Sequence, residues 1–62
     1  MKFRLTIKLD NAAFESKAGA EVGRILEQLA GKLDGSDLSN HDCWRLHDIN
    51  GNAVGEAKVT SD

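Results

Sequence analysis

The sequence predicts an α+β domain: a two-layer βαββ sandwich in which a three-stranded antiparallel sheet carries one helix on one face. Three observations predict it. Residues 2–9 alternate apolar and polar side chains without a fault. Residues 18–33 repeat apolar side chains at helical spacing. Asn50-Gly51 sits between two short runs that alternate again.

In the first strand Phe3, Leu5, Ile7 and Leu9 fall on one side, and Lys2, Arg4, Thr6 and Lys8 on the other. This is the pattern of a half-buried strand. Asp10 and Asn11 end it, and Asn11 is placed to cap a short turn carrying Phe14. In the helix Ala18, Val22, Ile25, Leu26, Leu29 and Leu33 form one stripe, while Glu21, Arg24, Gln28 and Lys32 lie opposite or at its margin. Ser16 is the expected N-cap and Gly35 the residue just past the C-cap. Gly23 lies inside the helix at a cost of ~1 kcal/mol relative to alanine. Residues 34–42 are polar, with Leu38 as the one apolar anchor of a loop.

Residues 43–60 read as a hairpin, because Asn-Gly accepts the positive φ that tight hairpin turns require. An even loop, either Asn50-Gly51 alone or residues 49–52, pairs His47 with Val54, Leu46 with Gly55, Arg45 with Glu56 and Trp44 with Ala57. One face then carries Trp44, Leu46, Gly55, Ala57 and Val59. The other carries Cys43, Arg45, His47, Val54, Glu56, Lys58 and Thr60, with Arg45 and Glu56 expected as an ion pair. A three-residue loop with a glycine bulge is the alternative; it is set aside because it would place Trp44 opposite Glu56. The expected strand order is 1-3-2, a parallel βαβ arrangement being the other choice. Phe3, Leu5, Ile7, Leu9, Trp44, Leu46 and Val59 are expected to meet the helix stripe.

The 62 residues make one domain, 1–62, near the lower size limit for folding alone. Cys43 is the only cysteine, so no disulfide staples the chain, and a reducing bacterial cytoplasm is the expected setting. No apolar run reaches the length of a membrane span and no signal-peptide core is present, so no membrane partner is expected. Eight Lys and Arg against ten Asp and Glu give a net charge of −2, which fits neither a bulk-basic nucleic-acid binder nor an acidic mimic of DNA.

The charges are unevenly placed. The open face of the expected sheet collects Lys2, Arg4, Lys8, Arg45, His47 and Lys58, with Glu56 as its one acid. Such a face suits phosphates or an acidic protein patch, although charge on open sheets and edge strands also serves solubility. It carries no aromatic side chain for stacking on unpaired bases. His41, Cys43 and His47 are zinc-type residues, but Cys43 and His47 would stand ~13 Å apart on an extended strand, so no metal site and no cofactor are expected. The same distance keeps them from pairing as nucleophile and base. Gly19, Gly23 and Ala30 form a small-residue strip on the helix flank. It is expected to receive the 10–17 loop, or else a partner helix. No phosphate-binding glycine pattern occurs.

The segments Leu9-Asp10-Asn11-Ala12-Ala13-Phe14, Arg24-Ile25-Leu26 and Asp48-Ile49-Asn50-Gly51-Asn52-Ala53-Val54-Gly55 together resemble small proteins of bacteriophages, prophages and plasmids. No catalytic residue is carried over from that group. The resemblance implies a mobile-element setting, in which small proteins such as anti-CRISPR proteins act by binding host machinery. The expected function is therefore a non-enzymatic module that binds a host or phage protein, an inhibitor of a defence system among the candidates. A nucleic-acid-binding accessory protein and a structural homo-oligomer, a homodimer among its forms, are the alternatives. An enzyme ranks last, since few residues remain to enclose paired acid and base groups.

Overall fold

A computed structural model describes residues 1–61. Strand β1 spans Lys2–Ile7, a single 3-10 turn spans Ala12–Phe14, helix α1 spans Ala18–Leu33, and strands β2 and β3 span Cys43–His47 and Ala53–Thr60. The sheet is antiparallel throughout and its order is β1-β3-β2. The fold is therefore the α+β arrangement that the alternation and the hairpin predict. No helix among the described residues is long and apolar enough to cross a membrane.

The core forms where the helix stripe meets the two hairpin strands. Ile25 and Leu29 of α1, Phe14 of the 3-10 turn, and Leu46, Val54 and Ala57 of the hairpin are buried together. Ile7, Ala18, Val22, Leu33 and Trp44 pack around them. Asn11 caps the 3-10 turn, its Oδ1 accepting from the Ala13 amide at 2.9 Å. Gly35 follows the helix with φ +85°, the left-handed conformation expected just past a C-cap. At the other end Ser16 is not the cap. Lys17 occupies that position in the left-handed region, with no side-chain hydrogen bond.

The helix does not cover the whole sheet. It packs against β2 and the 3-10 turn, whereas Phe3 and Leu5 of β1 are 43% and 38% exposed and Leu9 beyond it 51%. The expectation that the β1 apolar face meets the helix stripe thus holds for Ile7 and fails for Phe3, Leu5 and Leu9. The stripe itself leaves Leu26 41% exposed. Polar tethers account for this placement. Glu21 on α1 accepts the Ile49 amide at 2.7 Å, Arg24 donates to the His47 carbonyl at 3.3 Å, and the Asn11 side chain donates to Asp48 at 2.8 Å. All three draw the helical layer toward the β2–β3 turn and away from β1.

The hairpin differs from the expected even loop. The Gly51 amide donates to the Asp48 carbonyl and the Asp48 amide to the Asn52 carbonyl, both at 3.0 Å. Asp48 and Asn52 therefore close a three-residue loop in which only Gly51 has positive φ, +85°. His47 then pairs with Ala53. One residue further the register shifts: Leu46 pairs with Gly55, Arg45 with Glu56 and Trp44 with Ala57. The extra residue is Val54, which forms a β-bulge on β3. The bulge restores the pairing that an even loop would have given and returns Trp44 to a position opposite a small residue. It also breaks the alternation, so Val54, expected on the open face, is 6% exposed in the core. Gly55 beside it has no alternative: a Cβ there would overlap the Thr6 carbonyl oxygen and lie 2.9 Å from Ile7 Cα.

Candidate binding surface

The face of the sheet turned away from the helix is built by three rows of cross-strand neighbours. Lys2 pairs with Thr60; Arg4 pairs with Lys58, which pairs in turn with Cys43; Thr6 pairs with Glu56, which pairs in turn with Arg45. Directly opposed residues share a face in an antiparallel sheet. The register therefore brings Lys2, Arg4, Arg45 and Lys58 onto one surface. Lys8 joins them: it lines a shallow depression of about 370 Å³ together with Thr6, Arg45, Gly55 and Glu56. His47 is exposed at the end of β2, next to the bulge and outside that depression.

Five of the eight basic residues are thus gathered on or beside one sheet face. Glu56 sits among them. Its Oε1 lies 3.6 Å from Lys58 Nζ, and its Oε2 accepts from the Cys43 thiol at 3.7 Å. Arg45 stands opposite Glu56 as expected, but the ion pair that Glu56 makes runs along its own strand to Lys58. Both of these groups are about half exposed, so the pair adds little to stability. The middle row is the informative one. Arg4 and Lys58 are direct cross-strand neighbours, so two basic side chains stand side by side at the middle of this face.

The sheet's aromatic side chains lie on the helix side. The rings of Phe3 and Trp44 are 6.2 Å apart, tilted by 50°, and Trp44 packs against the core. The basic face therefore offers charge without stacking surfaces. On the helix flank, nothing lies within 4 Å of where a Cβ would stand on Gly19 or Gly23, and Ala30 is exposed. The small-residue strip does not receive the 10–17 loop. Among the described residues no group of three or more His, Cys, Asp and Glu side chains is arranged to hold a metal ion.

A second polar cluster, at the hairpin turn, is not apparent from the sequence. Asp48 is 4% exposed. Its Oδ1 accepts the amides of Asn50 and Asn52, each at 2.9 Å, and its Oδ2 accepts the side-chain amides of Asn11 at 2.8 Å and Asn52 at 3.2 Å. Burial pushes the Asp48 carboxyl up, but these hydrogen bonds outweigh it and its pKa lies below the ordinary value. Glu21 is likewise lowered, mainly by its hydrogen bonds from Arg24 at 2.7 and 3.0 Å, against a desolvation that raises it. The carboxylates here are occupied by partners within the chain. They orient the turn. An aspartate three residues before a glycine was the available sequence signal, since aspartate at the first position of a type I turn accepts from the residues that follow.

Compared with known proteins, the chain matches no family model, no curated protein and no solved structure.

Proposed function

We propose that the protein is a small non-enzymatic binding module from a phage or other mobile element, which attaches to a host or phage protein through its basic sheet face. An inhibitor of a bacterial defence system is the form this takes in the mobile-element setting. One observation carries the reading: Arg4 and Lys58 are opposed as direct neighbours. Solubility alone is served as well by charges of mixed sign. Two basic side chains side by side at the middle of a face that also carries Lys2, Lys8 and Arg45 make a positive surface, which an acidic partner surface would complement on binding.

The test is a tagged pull-down from host lysate, with and without nuclease. It compares the wild type with a chain in which Lys2, Arg4, Arg45 and Lys58 are reversed to Glu. A nuclease-resistant protein partner, captured by the wild type and lost by the reversed chain, is the expected result. Recovery of nucleic acid alone, falling steeply as salt rises, would replace this reading with the nucleic-acid one. The missing aromatics on this face are the reason that reading ranks second.

A further inference from the structure

The sheet has two outer edges, and that of β1 is unusual in what flanks it. Among the described residues no strand pairs with this edge. The Lys8 amide donates to the Val54 carbonyl at 2.8 Å, and the register runs unbroken from Ile7↔Gly55 to Lys2↔Thr60. By the alternation of an antiparallel ladder, even-numbered residues direct their backbone groups to β3, and Phe3, Leu5 and Ile7 direct theirs outward. Beside this edge lie two strips of opposite character. On the helix side Phe3 and Leu5 are substantially exposed, with Met1 at 74%. On the open side lie Lys2, Arg4 and Lys8.

From this juxtaposition we propose that the outer edge of β1 receives an extended segment of the partner protein, one whose residues alternate acidic and apolar, as an added strand. The inference rests on the binding-module reading and specifies its partner. Main-chain hydrogen bonds to Phe3, Leu5 and Ile7 supply affinity, and the side-chain alternation supplies specificity. Apolar residues of the incoming strand extend over Phe3 and Leu5. Its acidic residues fall beside Lys2, Arg4 and Lys8.

A second copy of the chain does not fit this edge. Antiparallel self-pairing centred on Leu5 opposes Lys2 with Lys8; centred on Arg4 it opposes Arg4 with itself; centred on Thr6 it opposes Arg4 with Lys8. A parallel pairing in register sets each of these beside its own copy. Like charges meet in each of these registers, and pairing with the outer edge of β2 brings Arg45 instead. These basic side chains oppose self-association and favour an acidic strand.

The test uses isotope-labelled full-length protein and three capped ten-residue peptides: alternating Glu and Val, the same composition with its alternation scrambled, and alternating Lys and Val. The alternating acidic peptide is expected to shift the amides of Phe3, Leu5 and Ile7, protect them from exchange, and bind at least about tenfold more tightly than either control. N-methylation of the Leu5 amide, which removes an outward donor, is expected to abolish this binding with melting unchanged. The exchange measurement on unmodified protein stands on its own if the methylated chain folds poorly. Equal binding of the two acidic peptides, or amides at 3, 5 and 7 that exchange as freely as before, overturns the inference. So does capture of the protein partner by the methylated chain when the charge-reversed chain loses it, a result that leaves the binding module standing. Recovery of nucleic acid alone by the wild type removes both.

Discussion

Asn11 and Asp48, 37 positions apart in the chain, are joined by a 2.8 Å hydrogen bond between their side chains. Each is also the organising residue of its own turn: Asn11 caps the 3-10 turn through Ala13, and Asp48 gathers the amides of Asn50 and Asn52. The bond therefore couples two local structures that would otherwise form independently. It fixes the connection leaving β1 against the far end of the hairpin.

The hydrogen bonds that Asp48 accepts, those from Asn52 foremost and that from Asn11 with them, make stability depend on acid. The Asp48 pKa in the folded chain is lowered, so its stabilising contribution is complete above the unfolded value and is lost as pH falls through the folded one. Glu21 acts with the same sign. Thermal melts between pH 7 and pH 2.5 are expected to hold level down to the ordinary carboxylate range and then decline. The Asp48→Asn chain is expected to melt lower at pH 7 and to decline less steeply in acid. A wild-type melting temperature that rose below pH 4 would contradict the sign.

The bulge at Val54 is open to an equally direct check. If β3 alternated without interruption, Val54 would lie on the open face and Ala53 on the core side. The structure reverses the two: Val54 is buried and Ala53 exposed. Val54→Lys places an unpaired charge in the core and is expected to unfold the chain. Ala53→Lys is expected to change stability by less than about 0.5 kcal/mol, as at an ordinary surface position. Circular dichroism and urea titration of both variants would show the difference.

How far the sequence reaches is clear from these same residues. The strand and helix elements follow from periodicity, which burial on one face enforces along the whole element. The pairing of Trp44 with Ala57 follows from setting a large side chain against a small one, and periodicity leaves the antiparallel order and a parallel βαβ arrangement both open. The turn does not follow in that way. Two irregularities there compensate one another: a three-residue loop shifts the register by one, and Val54 shifts it back. Their combined effect beyond Leu46 equals that of an even loop, so side-chain pairing could not distinguish them. The gathering of Lys2, Arg4, Arg45 and Lys58 was legible from strand faces. The direct opposition of Arg4 and Lys58 needed the β1–β3 register, which no turn signal fixes. The exposure of Phe3 and Leu5 was hidden as well, because it depends on where the helix lies across the sheet.

Glycine substitutions are expected to act in opposite directions at two positions. At Gly55 a methyl group meets the backbone of β1, which can yield only by displacing the strand. Gly55→Ala is expected to cost on the order of 3 kcal/mol. Gly23 sits within α1 with open space where a Cβ would stand, so Gly23→Ala is expected to stabilise the chain by about 0.5–1 kcal/mol through helix propensity. Urea denaturation of the two variants measures both signs. A neutral Gly55→Ala would mean that β1 and β3 lie farther apart than the structure places them.

The last expectation concerns the contact that crosses the sheet. Phe3 on one edge strand and Trp44 on the other approach to 6.2 Å across the central strand, where Ala57 is fully buried. Phe3 stands opposite Val59 and Trp44 opposite Ala57, so the two rings meet on a diagonal of the sheet. Phe3→Ala is expected to cost about 1 kcal/mol, the usual worth of an aromatic pair together with a half-exposed ring. It is also expected to shift the emission of Trp44, the only tryptophan, toward that of a water-exposed indole. Ala57→Leu forces a larger side chain into the core beside Trp44 and is expected to cost about 1–3 kcal/mol. An unchanged Trp44 spectrum in Phe3→Ala would place the two rings out of contact and separate the β1 edge from the core.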